Sequence, residues 1–375
     1  MRYQNYVDSS VAIVNRRTPL LISAAAALSL STTPAANANS LSFINRTTTN
    51  GLSNNSVTGV YASGNTIYAS TWGGGLNISS NGGSSFTYRT TSDGLGSNVM
   101  AGVYASGSTV YAATNGGLSI SSNGGTSFIN RTTANGLGDN VISGVYASGS
   151  AIYAATGTGG LSISTDGGSS FNTRTTANGL GSNQVGSVYA VGSTIYLATN
   201  GGLSISTNGG SSFINRTTAN GLGNDFVRGV YANGSTIYAA TSLGLGISTD
   251  GGLSFINRTT ANGLGDNLVR SVYASGNTIY AATNGGGLSV STDGGLSFTS
   301  YTTANGLGSN FVNSVFIDGS TLYAATGNGL SIAQLPPPPT SAPGPLPVLG
   351  AAAAFGMARR LRQRLRLLGH GSADS

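Results

Sequence analysis

The chain has 375 residues with no cysteine, no lysine and no glutamate, and its one histidine, His370, lies close to the C-terminus. Disulfides therefore take no part in holding the fold. Acid–base or nucleophilic chemistry away from that terminus would have to run on Asp, Tyr and Arg. The formal charge of +6 is carried entirely by the ends: Arg2, Arg16 and Arg17 outweigh Asp8, and Arg359, Arg360, Arg362, Arg364 and Arg366 outweigh Asp374. Between them eight Arg face eight Asp. A neutral middle gives no basic groove for phosphates, so nucleic acid is not expected as a partner. No cofactor and no metal site is expected either.

What the chain does have is repetition. A unit of about 42 residues recurs seven times, marked by Phe43, Phe86, Phe128, Phe171, Phe213, Phe255 and Phe298. Each unit runs through NGLG or a relative, VYASG, TIYAAT, GGLSIST and a DGG or NGG turn. That is four short strand-like runs divided by Gly, Asn, Asp and Ser, the length and strand count of one propeller blade. In the first complete unit the expected strands are A over 57–62, B over 66–71, C over 76–80 and D over 86–91.

The ends of the repeat region choose between a ring and an open solenoid. Reading from Asn39, the chain supplies a D strand (43–48) with no A, B or C before it, and its last unit stops after strand C near Ile332. A solenoid needs capped ends that do not match one another. A ring needs the complement, because the first strand can complete the last blade and remove an open edge. The expectation is an all-β, seven-bladed β-propeller with four-stranded blades, closed by the N-terminal outer strand.

The turn before strand D reads Ser-x-Asp-Gly-Gly-x-Ser-Phe in residues 164–171, 248–255 and 291–298, with Asn81, Asn123 and Asn208 replacing Asp in three other units. It resembles the Asp-box of sialidase-like propellers. The rest of the repeat looks like that of two-component-regulator propellers. Both resemblances cover nearly all of residues 40–333. Asp166, Asp250, Asp293 and the three asparagines are read as structural turn residues: exchange of Asp for Asn keeps a short acceptor and discards a titrating group. The sialidase resemblance implies a glutamate–tyrosine pair, and no glutamate exists; no catalytic residue is assigned. A glycosidase using two aspartates stays open, since paired carboxylates suffice for that reaction.

Variation between units gathers at the start of strand A, in the column Ser56, Val99, Val141, Gln184, Phe226, Leu268, Phe311 and in the column Thr58, Ala101, Ser143, Gly186, Arg228, Arg270, Asn313. In a propeller that face is the default ligand site. Arg228 and Arg270, near Asp225 and Asp266, read either as a small polar site for an acidic or sugar ligand or as two local Asp–Arg salt bridges. Trp72, the sole tryptophan, reads as a carbohydrate-stacking platform or as an incidental surface aromatic. The outer-strand column Arg46, Arg89, Arg131, Arg174, Arg216 and Arg258, with Tyr301 in seventh place, reads as edge charge that opposes sheet-to-sheet association, or as a multivalent contact for acidic polysaccharide.

The flanks suggest export and surface retention. Arg16-Arg17, an apolar run over 20–30 and Ala36-Asn37-Ala38 read as a signal peptide over 1–38, by the general or the twin-arginine route. After the propeller (39–334) come a Pro-rich linker (335–344), a short apolar transmembrane or sorting helix (345–358) and an Arg-rich cytoplasmic tail (359–375). The run Pro343-Gly344-Pro345-Leu346-Pro347, the Ala-Ala-Phe-Gly segment and the arginine cluster together resemble a PEP-CTERM sorting signal of the cyanobacterial type. Gly344 stands where that motif has glutamate. The resemblance implies exosortase-type machinery and the membrane as partners. The chain as a whole reads as a non-catalytic secreted or surface-anchored propeller for adhesion or extracellular polysaccharide binding, with an Asp-pair hydrolase or a ligand-sensing propeller as alternatives. Removing residues 343–375 is expected to release folded protein into the medium; undiminished cell association, measured by fractionation, would show that the tail is no anchor.

Overall fold

Strand B of each unit, Thr-Ile-Tyr-Ala-Ala-Thr or a near variant, has small or apolar side chains on both faces. Such a strand must be covered on both sides. The computed structural model describes residues 41–336, and in it these strands are sandwiched in this way, within seven four-stranded antiparallel sheets. In blade 1, strand A is Val57–Ser63, B is Thr66–Thr71, C is Gly75–Ser79 and D is Thr87–Arg89. Ile67 and Ala69 point into the core shared with blade 7, while Tyr68 between them points into the core shared with blade 2. Seven such cores occur, one for each pair of neighbouring blades.

The ring closes as expected. Phe43–Arg46 pairs antiparallel with the last strand, with Phe43 opposite Ala333 and Arg46 opposite Leu330, and becomes strand D of blade 7. Phe43 is buried against Tyr280, Leu288 and Leu322 in the core of blades 6 and 7. Both ends of the described chain lie on the face of the A–B and C–D turns: the Leu335 N–H bonds Ser320 O in the A–B turn of blade 7. The A strands form the inner wall, packed so tightly that a Cβ on Gly229 would stand 2.9 Å from Arg270 O.

Strand D is shorter than its sequence implies. It covers three residues in blades 1–6 and is followed by a single 3-10 turn such as Thr133–Asn135. The reason is local capping: Thr132 Oγ1 accepts the Ala134 N–H, Asn135 Oδ1 accepts the Thr132 N–H, and Gly136 takes φ 92° to end the turn. These bonds offer the backbone an alternative to the ladder.

The outer-strand arginines do not stand out as edge charge. Arg89 Nε donates to Gly125 O at 3.0 Å and Arg174 Nε to Gly210 O at 2.8 Å, and Arg216 reaches Gly252 O likewise. Each acceptor lies in the C–D turn of the next blade. In Arg46, Arg131 and Arg258 the buried Nε has no protein acceptor. Tyr301 falls in blade 6, facing the one blade whose C–D turn is replaced by the two chain ends, and packs edge-on against Phe43 with centroids 6.2 Å apart. The departure from arginine thus coincides with the missing turn.

Deleting residues 39–48 is expected to leave the strand Gly329–Gln334 unpaired along one edge and to cause aggregation or a large fall in melting temperature. The milder Phe43→Ala should cost about 3 kcal/mol, the scale for emptying a buried aromatic site. A truncated chain that stayed monomeric and equally heat-resistant would refute closure by this strand.

Candidate functional site

The D–A and B–C connections share the face opposite the chain ends, and the central channel opens there. In every blade the start of strand A carries a register shift: in blade 1 Val57 pairs with Thr71 and Gly59 with Ser70, leaving Thr58 as the extra residue. The same shift leaves Arg228 extra in blade 5, Arg270 in blade 6 and Asn313 in blade 7. A bulge bends its strand and re-aims the extra side chain. The variable column is thus the bulge column, and it lines a channel cavity of about 230 Å³.

Arg228 and Arg270 meet in that lining, and the local Asp–Arg salt bridges are not formed. Asp225 Oδ1 instead accepts the Thr218 N–H at 2.7 Å, and Asp266 Oδ1 the Leu268 N–H at 2.9 Å. The two aspartates are not equivalent: Asp225 fills the place held by Asn267 in blade 6, whose Oδ1 takes the Thr260 N–H. Arg270 Nε and Nη2 both donate to Asn284 Oδ1 on the B–C connection, the former at 2.7 Å. Arg228 lies with its guanidinium carbon 4.5 Å from the centroid of Phe226. Burial, and then the charge of Arg270, lower the pKa of Arg228; burial alone lowers that of Arg270.

Trp72 is 59% exposed on the B–C connection of blade 1, bridged to Val99. Its counterpart in blade 6 is Asn284, which is bridged to the exposed Phe311 of blade 7. Blades 5–7 therefore gather Phe226, Arg228, Arg270, Asn284 and Phe311, while Trp72 stands apart in blade 1. Sequence reasoning did not single out Asn284; its signal was its place directly after the strand-B threonine, in the column that holds Trp72.

Deeper in the channel, Tyr61, Tyr104, Tyr146, Tyr189, Tyr231, Tyr273 and Phe316 form a closed belt with neighbouring centroids 4.8 to 5.8 Å apart. These are tilted and edge contacts of the favourable kind. Burial raises the pKa of Tyr61, Tyr104, Tyr189 and Tyr231, keeping those phenols protonated.

On the opposite face lie the C–D turns. Asn81 Oδ1 accepts the Ser85 N–H, and Asn123 and Asn208 accept from Ser127 and Ser212. Asp166, Asp250 and Asp293 accept the N–H and also the hydroxyl of Ser170, Ser254 and Ser297. The glycines reverse the chain where a side chain would not fit: Gly125 has φ 87°, and a Cβ on it would stand 2.6 Å from Ile78 of blade 1. Among the described residues no group of three or more His, Cys, Asp or Glu is placed to hold a metal ion.

No protein-family model matches the chain, and no curated protein matches it. Solved structures do. The extracellular domain of a hybrid two-component system from B. thetaiotaomicron superimposes with a TM-score of 0.65 at 20% identity, over 78% of this chain and 42% of that one. A second such domain from the same organism gives 0.62 at 16% identity, over 78% and 39%. This chain therefore spans about two fifths of those domains. YCF48 from Cyanidioschyzon merolae gives 0.60 at 14% identity, over 79% of this chain and 99% of its own, and an ancestral GH74 enzyme gives 0.59 at 18% identity, over 79% and 46%. At these identities the likeness is one of fold.

Hydrogen bonds from Ser170, Ser254 and Ser297 hold the carboxyls of Asp166, Asp250 and Asp293 well below the usual carboxylate range. A carboxyl depressed in the folded state stabilises the fold above its unfolded value, and that stabilisation is lost as pH falls through the folded value. The wild-type melting temperature should therefore drop on acidification below about pH 4 more steeply than that of an Asp166→Asn/Asp250→Asn/Asp293→Asn variant. Matching curves for the two proteins would remove these turns as the acid-sensitive element.

Proposed function

We propose that this chain is a non-catalytic, secreted or surface-anchored propeller that binds an extracellular polysaccharide at its channel mouth, in adhesion to a surface or matrix. The supporting observation is how charge is deployed. Each of the eight aspartates between residues 39 and 335 accepts a backbone N–H: Asp93, Asp139, Asp225 and Asp266 in connections, Asp318 at the end of strand A of blade 7, and Asp166, Asp250 and Asp293 in the C–D turns. A general acid needs a proton to give near working pH, and in Asp166, Asp250 and Asp293 the hydrogen bonds from serine hold the carboxyl well below the usual range. The mouth meanwhile holds two guanidiniums, that of Arg228 over the ring of Phe226.

Two neighbours in fold are extracellular domains of two-component systems, which accords with a place outside the cell. The signal segment, residues 337–344 of the linker, the apolar helix and the arginine-rich tail lie outside the described residues. The ancestral GH74 enzyme among the neighbours in fold keeps the hydrolase reading as the competitor.

Incubated with sialosides, β-glucans and acidic exopolysaccharides, the full chain is expected to retain polymer on a binding column and release no reducing ends. Reducing-end release that vanished in a folded Asp225→Asn or Asp266→Asn variant would overturn this reading in favour of hydrolysis.

A further inference from the structure

The bulge position shows no structural need for a cation. Its occupants in the other blades are Thr58, Ala101, Ser143, Gly186 and Asn313, and the fold is the same around all seven. Blades 5 and 6 nevertheless place arginine there, side by side, and none of the residues lining the cavity is acidic. The two are prepared differently. Arg270 is fixed by Asn284, whereas among the described residues Arg228 donates no side-chain hydrogen bond, and its Nε is buried without a partner. Two guanidiniums held together with no counter-charge repel, and an unpaired buried donor is costly. No carboxylate in the cavity lining offsets that cost, and among the described residues Arg228 has the Phe226 ring beneath it in place of a counter-charge.

We propose that Arg228 and Arg270 form a carboxylate site, and that its ligand is the carboxylate of a terminal or pendant acidic sugar; this rests on the polysaccharide-binding reading above. A guanidinium presents a planar fork of donors that matches a two-oxygen planar anion. Phe226 beneath Arg228, and Phe311 beside Asn284 at 53% exposure, supply apolar surface for a sugar ring. The cavity of about 230 Å³ is below the ~300–1,000 Å³ usual for small-molecule sites. It takes one residue of a polymer, an end or a side group, and not a strand laid through it. Asp225 and Asp266 do not neutralise the pair, being bonded to Thr218 and Leu268.

The test is calorimetric titration of the full chain with D-glucuronic acid, D-glucose, glucose 6-sulfate and glucose 6-phosphate. Glucuronic acid should bind, glucose should not, and the two esters should bind at least threefold more weakly. Arg228→Gln and Arg270→Gln should each weaken glucuronic acid at least tenfold, Arg228→Lys should weaken it less, and Arg89→Gln on an outer strand should leave it unchanged. The melting temperature of Arg228→Gln should equal or exceed that of wild type, because a like-charge contact is relieved. Equal binding of glucose and glucuronic acid, preference for an ester, or indifference to Arg228→Gln would each overturn the assignment; if Arg228→Gln fails to fold, wild-type affinity in Arg228→Lys and Arg270→Gln does so. Acidic polymer bound equally by wild type and Arg228→Gln would reject the arginine pair and keep the polymer-binding reading. Glucuronic acid bound without any polymer would do the reverse.

Discussion

Every blade depends on having two neighbours. Strand B carries Ile67 and Ala69 on one face and Tyr68 on the other, and each face is buried against a different blade. A blade with one neighbour would leave a row of such side chains in water, at about 25 cal/mol for each Å² of apolar surface. Closure is therefore a condition of stability for all the blades. The pairing of Phe43–Arg46 with the last strand supplies it without a covalent bond, in a chain that has no cysteine to make one.

Around that constraint the repeat separates what must stay from what can change. Leu222 and Phe255 are sealed in the core between blades 4 and 5 and recur in every unit, while the residue after the bulge, Gly229 in blade 5, is glycine or serine throughout. The bulge residue one place before Gly229 answers to none of this. It faces the channel, has no place in the strand register, and differs from blade to blade. A repeat protein with near-identical units can carry a distinct site only where its architecture leaves a position free, and here that position falls at the mouth.

Strand order, closure and the turn chemistry were legible in the sequence because each is written in local pattern: alternation in strand B, glycines at the reversals, and an unmatched strand at either end. The 3-10 turn after strand D was less so, since Thr132 and Asn135 also suit an extended run until their side chains are seen to bond backbone N–H groups. The site was legible in position and not in wiring. Asp225 lies three residues from Arg228, which suggested a salt bridge, yet its carboxylate turns back to Thr218 while the bulge swings Arg228 into the channel. Arg270 finds its partner fourteen residues away, in Asn284 across a hairpin. The outer arginines act on the next blade, some 36 residues on, a relation that no local pattern displays.

The exit of the chain has a mechanical consequence. Residues 41 and 335 sit together on the face of the A–B and C–D turns, opposite the mouth. Were the C-terminus anchored and a ligand held in the mouth, tension between them would enter the ring through Gly329–Gln334 and run along that strand, flanked on both sides by partners. Ladder hydrogen bonds lie across the strand direction, so such a pull loads them together in shear. Pulling the two termini apart would instead peel Phe43–Arg46 away one bond at a time. The same seam is strong or weak according to which end is held.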